Sequence, residues 1–119
     1  MKLDPDCVRA ILYYVEDNTG YGIFADVKKM IETLEYDADT IMYHAMQCES
    51  SGFFTEAHWY LGGYDGAIVD LTPKAHEFIA NIRNDKNWYK IKEKAKVIGS
   101  FSLSALSQIA ISYVSSLIG

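Results

Sequence analysis

The apolar residues of this chain change period twice, and that limits the fold more than any other feature. Val8, Ile11, Leu12 and Val15 recur at the i, i+3, i+4, i+7 spacing of a helix with one buried face. Asp4 and Pro5 precede them as an N-cap and a first helical residue, and Asn18-Thr19-Gly20 with Gly22 stop the run. Val27, Met30, Ile31 and Leu34 predict a second helix. Asp37 predicts the cap of a third, which turns Ile41, Ala45 and Cys48 inward and closes at Ser51-Gly52, with Gly52 at C′. The period then falls to 2. Thr55, Ala57, Trp59 and Leu61 alternate with Glu56, His58 and Tyr60. After Gly62-Gly63-Tyr64-Asp65-Gly66, Ala67, Val69 and Leu71 alternate with Ile68 and Asp70. Two alternating runs across a glycine-rich loop predict a β-hairpin. Thr72-Pro73 then opens a fourth helix carrying Ala75, Phe78, Ile79 and Ile82.

Three helices, a hairpin and a fourth helix make a mostly helical α+β chain in the order of a winged helix. Residues 4–83 are read as that domain, with residues 62–66 at the tip of the wing. Trp59, Phe78, Ile11 and Ile31 are expected to meet in its core. Residues 84–119 are expected to add a two-helix C-terminal tail. Its first helix, residues 85–98, turns Trp88, Ile91, Ala95 and Ile98 inward and Lys90, Lys92, Lys94 and Lys96 outward. Its second, residues 102–117, starts at a Ser100 or Ser102 cap.

From Val97 to Gly119 there are 23 residues without a charge, enough to span a bilayer. Seven serines and Gln108 fall in the same stretch and gather on one side of a helix, which argues against a span. Leu103, Leu106, Ala110, Tyr113 and Leu117 instead form a heptad seam about two repeats long. Ile109, Ile111, Val114 and Ile118 widen it. The expectation is a homo-oligomer, most simply a dimer, joined through that seam.

Charge is distributed unevenly. The net charge is −5, so no overall positive field draws in nucleic acid. Between Met30 and Pro73 there is no lysine or arginine, against Glu32, Glu35, Asp37, Asp39, Glu49, Glu56, Asp65 and Asp70. The helix and wing that would enter DNA in a winged helix are therefore acidic, where DNA affinity calls for cations on phosphates. The candidate partner-binding residues are Asp37, Asp39, Glu49, His58, Tyr60, Tyr64 and Asp65, acids and amphipathic rings of the kind that anchor protein interfaces. Basic residues gather later. Arg83, Lys86, Lys90, Lys92, Lys94 and Lys96 face only Asp85 and Glu93.

No catalytic, cofactor or metal constellation is complete. His44 and Cys48 stand at i, i+4, but a structural zinc takes about four ligands, and neither His58 nor His76 brings a second pair. Cys7 and Cys48 both fall on core-facing stripes, where thiols are inert, and their spacing suits a reduced compartment better than a disulfide framework. The glycine-rich loop lacks the lysine and hydroxyl of a phosphate-binding loop. Lys2-Leu3-Asp4 follows Met1 with no apolar run, so no secretory leader is expected and a cytoplasmic location in a bacterial host is.

Four stretches together, MKLDPDCVRAILYYVEDN, DADTIMYHAMQCESSGFF, DLTPKAHEFIANIRND and KEKAKVIGSFSLSALSQIA, resemble the domain-of-unknown-function family 2513 of phage and prophage proteins. The resemblance covers nearly the whole chain. Its most distinctive points are Tyr43-His44, the run Leu71-Thr72 to Ile82-Arg83, and Gly99-Ser100-Phe101-Ser102. It implies a winged-helix-like domain in phage-infected or lysogenic bacteria and carries no site residues to transfer. Ala45-Met46-Gln47 stands where relatives often place a charge after Tyr-His, which weakens a DNA-reading role. The sequence is accordingly read as a non-enzymatic phage or prophage accessory protein that needs no cofactor. It is expected to bind a protein partner through the acidic face and to lie neither in nor on a membrane. The alternative is a DNA-binding regulator working through Lys28, Lys29 and the Arg83–Lys96 strip.

Overall fold

Asp4 begins the first helix by accepting hydrogen bonds at its carboxylate from the N–H groups of Asp6 (2.9 Å) and Cys7 (3.4 Å). In the computed structural model, which describes residues 1–119, this opens α1 (Pro5–Asn18). A two-residue strand β1 (Ala25–Asp26) leads directly into α2 (Val27–Thr33), and α3 (Ala38–Ser50) follows. Strands β2 (Phe54–Trp59) and β3 (Gly66–Leu71) form the hairpin. Three more helices, α4 (Pro73–Ile82), α5 (Asp85–Ile98) and α6 (Leu103–Ile118), complete the chain. The protein is thus α+β and mostly helical, with six helices and one antiparallel sheet in the order β1-β3-β2.

The caps anticipated from sequence are present. Asp37 receives the N–H of Thr40 at 2.9 Å, and Ser102 receives that of Ala105 at 3.1 Å. Thr72 receives the N–H of Ala75 at 3.2 Å while its hydroxyl donates to the Gly52 carbonyl at 2.7 Å, tying the start of α4 to the end of α3. Gly99, at φ 84°, ends α5 in the left-handed conformation that only glycine adopts freely.

Three readings are corrected. Strand β1 was not anticipated: two residues give no alternation to detect, and Ala25 and Asp26 become a strand only by pairing with Ile68 and Ala67. The inward phase of the hairpin also differs. The strict alternation of Ala67, Val69 and Leu71 with Ile68 and Asp70 does not hold, since Ile68 and Leu71 are both buried while Ala67 and Val69 are partly exposed, and Leu61 is fully exposed at 103%. The pairing is locally irregular at Glu56, which faces Asp70, and this interrupts the alternation, although Phe54–Leu71 and Ala57–Ile68 keep one register on either side of it. Last, the expected core quartet is only half right. Ile11 and Phe78 are buried, but Trp59 and Ile31 are partly buried at the rim. Phe78 instead stacks on Phe53 (centroids 5.4 Å apart) and meets Trp88 edge-on at 6.5 Å.

The core runs without a break across residues 83–84. Trp88, Ile91 and Ala95 of α5 and Leu103, Leu106 and Ala110 of α6 share one cluster with Cys7, Val8 and Ile11 of α1. Ile98, expected inward, is 66% exposed because α5 outruns the core beneath it. Arg9 fixes the junction. Its guanidinium donates to the Ile82 and Arg83 carbonyls, both at 3.1 Å, satisfying the open end of α4. It also pairs with Asp85 at 2.7 Å and lies over the rings of Tyr13 and Trp88.

Candidate acidic interface

The seven candidate interface residues fall into three groups. Asp37, Asp39, Tyr64 and Asp65 gather where the hairpin loop leans on the start of α3. Tyr64 donates its hydroxyl to Asp39 at 2.5 Å. That contact, with the Asp39 charge, raises the Tyr64 phenol above its ordinary pKa. Tyr64 also holds φ at 59°, a left-handed value that costs a non-glycine residue energy and marks a loop fixed by its contacts. Asp65 braces the loop from within: its carboxylate accepts from the Gly66 N–H at 2.7 Å and its carbonyl from Tyr60 at 3.2 Å. Asp37 spends its carboxylate on capping α3. The backbone N–H of Thr40, then the Thr40 side chain, holds that carboxyl below the usual range.

Glu49 lies apart, at the far end of α3, where it accepts the indole N–H of Trp59 at 3.0 Å. His58 and Tyr60 are exposed on the hairpin, and His58 lies 3.3 Å from Glu56. The face is acidic and aromatic, and two of its carboxylates, Asp39 and Glu49, clasp the hairpin to α3. Sequence reasoning missed Leu61, the apolar tip of the loop; the alternation assigned it to the inner face, but the strand ends at Trp59. Met46 is a second omission, 41% exposed on the outer side of α3.

His44 is buried at 1% exposure and has no ring nitrogen to spare. Nε2 accepts the N–H of Asp4 at 2.8 Å, so the ring hydrogen resides on Nδ1 and is donated to the Thr40 carbonyl at 2.7 Å. Both cysteines are free and fully buried. Burial, then the charges of Asp4 and Asp37, pushes the Cys7 thiol up to about 12, and burial pushes Cys48 up as well. Neither forms a thiolate at neutral pH.

The basic strip is partly consumed by the fold. Arg83 pairs with Glu16 at 2.7 Å, and Lys92 with Asp6 at 2.9 Å. Burial opposes ionisation of Asp6, but hydrogen bonds from Lys92 and Trp88 outweigh it and hold the carboxyl below its ordinary value. Lys94 lies over the Tyr113 ring at 5.8 Å, and Lys86, Lys90 and Lys96 are exposed without an ion pair. The expected self-association seam is corrected too. Leu103, Leu106 and Ala110 are buried within their own chain by α4 and α5, Tyr113 is partly buried, and only Leu117, 58% exposed, remains open. The domain thus covers one stripe of α6, while Ile111 and Ile118 of the widening set stay exposed at 46% and 85%. No helix is long and apolar enough to cross a membrane.

No curated protein and no solved structure matches the chain. A family described as "Hypothetical protein (DUF2513)" matches residues 2–102, all of the fold up to the cap of α6. With that match over most of its length, from the Asp4 cap through α5, the chain belongs to the DUF2513 family.

Proposed function

We propose that residues 4–83 form a winged-helix module that binds a protein partner, not DNA, through the face made by α3 and the hairpin. The order β1-β3-β2 and the loop clasped to α3 support the winged-helix reading. One observation carries the partner reading. From Met30 to Pro73 the chain has eight carboxylates and no lysine or arginine, so this face presents a negative field where DNA would need a positive one. Exposed Tyr60 and Leu61 on the same loop supply apolar anchors of the kind that interfaces concentrate. A binding role also accords with the buried, protonated thiols and with a His44 whose two nitrogens are already committed. In the phage or prophage setting that the family resemblance implies, such a module is an accessory protein acting on a host or phage protein.

Fluorescence anisotropy with random duplex DNA at low ionic strength tests this. The expected result is no binding into the micromolar range. Micromolar binding that weakens steeply with salt and disappears in a Lys28→Glu/Lys29→Glu variant would transfer the function to nucleic acid.

A further inference from the structure

Helices α5 and α6 enclose an open groove of about 790 Å³ on the side away from the core. Val97, Ile98, Ile109 and Tyr113 form its apolar part, and Lys90 and Lys94 stand on its wall. Val97 is 86% and Ile98 66% exposed, while Ile109 and Tyr113 are partly buried, with Lys94 over the Tyr113 ring. Lys86 and Lys96 lie exposed on the same helix, and Glu93 is the only carboxylate on the groove wall. The groove is therefore apolar within and positive around.

The same molecule carries a shape of the opposite kind. The Tyr60–Asp65 loop presents Leu61 fully exposed and Tyr60 half exposed, with Asp65 in the loop, Asp39 bonded to Tyr64 and Asp37 close to it, and no lysine or arginine from Met30 to Pro73. The loop is also fixed before it meets anything. Gly63 donates to the Tyr60 carbonyl, Tyr60 donates to that of Asp65, and Tyr64 is held by Asp39. A preformed knob loses little conformational entropy on docking. Within one chain the two features do not meet: α5 and α6 pack on α4, whereas α3 and the hairpin pack on α1 and on each other.

We infer that the α5–α6 groove receives the acidic hairpin loop of a second copy of this chain, so that the protein associates head to tail. The charge map selects this over a symmetric pairing, because two copies meeting groove to groove would place lysines against lysines. Leu61 enters the apolar part of the groove, and the carboxylates around it meet Lys90 and Lys94. A contact between two different surfaces leaves one of each free at the ends, so assembly continues until a ring closes or the chain is diluted. This rests on the proposal that the acidic face is a docking surface and names one occupant for it.

Sedimentation velocity on the full chain, from low micromolar to millimolar, is the test. At low ionic strength the mass should rise above the 13.4 kDa monomer with concentration, and return to it in high salt. Leu61→Lys removes the knob and leaves the groove; Lys90→Glu with Lys94→Glu does the reverse. All three positions are exposed, and the contact removed is that of Lys94 with the Tyr113 ring, so the variants should fold, which circular dichroism checks. Each variant should stay monomeric alone, while an equimolar mixture should pair and stop at two copies. A parent that is monomeric throughout, a variant that associates like the parent, or a mixture that does not pair would each overturn the inference. The DNA titration reads the acidic-face proposal separately, since it depends on neither Leu61 nor the groove.

Discussion

Replacing Leu106 with alanine tests whether α6 belongs to the core of its own chain. Leu106 is completely buried, in a cluster that also holds Phe78 and Trp88. The substitution removes three carbon groups, worth roughly 2.4 kcal/mol at about 0.8 kcal/mol each. The cavity left behind adds to this, since the walls relax only in part, and buried Leu→Ala changes cost about 2–5 kcal/mol in all. A loss of about 3–4 kcal/mol is expected, a large share of the roughly 5–15 kcal/mol that stabilises a typical domain. Urea unfolding followed by circular dichroism and tryptophan fluorescence measures it, in about 0.5 M salt, where the Debye length of roughly 4 Å suppresses charge-driven association. Ile118→Ala is the control: at 85% exposure it should change stability by no more than about 0.5 kcal/mol. The midpoint should not vary with protein concentration. A cost below about 1 kcal/mol for Leu106→Ala, or a midpoint rising with concentration, would show that α6 is not buried by its own chain.

Three further outcomes are expected. His44→Leu removes both ring nitrogens and strands the Asp4 N–H, and should cost at least about 1–3 kcal/mol in thermal or urea unfolding; a variant as stable as the parent would refute the hydrogen-bond assignment. A thiol-specific chromogenic reagent at neutral pH should label neither Cys7 nor Cys48 in the native protein and both after denaturation, because burial keeps both protonated; rapid native labelling of either would contradict that. Asp6 is held below its ordinary pKa in the folded state, so its stabilising effect is complete above the unfolded value and is lost as pH falls from about 4 through the folded value. Asp6→Asn should flatten the decline of stability over that acid range, and an unaltered decline would show that the Lys92 and Trp88 contacts do not hold the carboxylate.

Local features were legible in the sequence and distant ones were not. Asp4, Asp37, Thr72 and Ser102 cap helices using atoms within three residues, so their roles follow from type and position. The stripes of α1 and α4 were legible for the same reason. Strand β1 exists only because β3, more than forty residues on, offers it a partner. The irregular pairing at Glu56 interrupts the alternation of the hairpin, and a strict period of two cannot reveal such a local break. At the candidate interface, charge could be counted directly, so the acidic face was evident. The clasps were not: Tyr64 reaches Asp39 across 25 residues, and Trp59 reaches Glu49 across 10.

The contacts of Arg9 and Asp6 have a consequence for the order in which the chain is completed during synthesis. α1 leaves the ribosome before the rest of this fold, yet the side chains of Arg9 and Asp6 hydrogen-bond only to Ile82, Arg83, Asp85, Trp88 and Lys92, 73 to 86 residues later. A nascent chain that has released the hairpin and α4 still leaves Arg9 with nothing to neutralise it and Phe78 without Trp88. Closure at such sequence separations is slow and comes late. The growing chain therefore passes through an interval in which most of its helices have emerged and one side of its core stands open, and the arrival of Trp88 and Lys92 ends it. Damage to α5 would lengthen that interval and be felt first as trapped or degraded nascent protein.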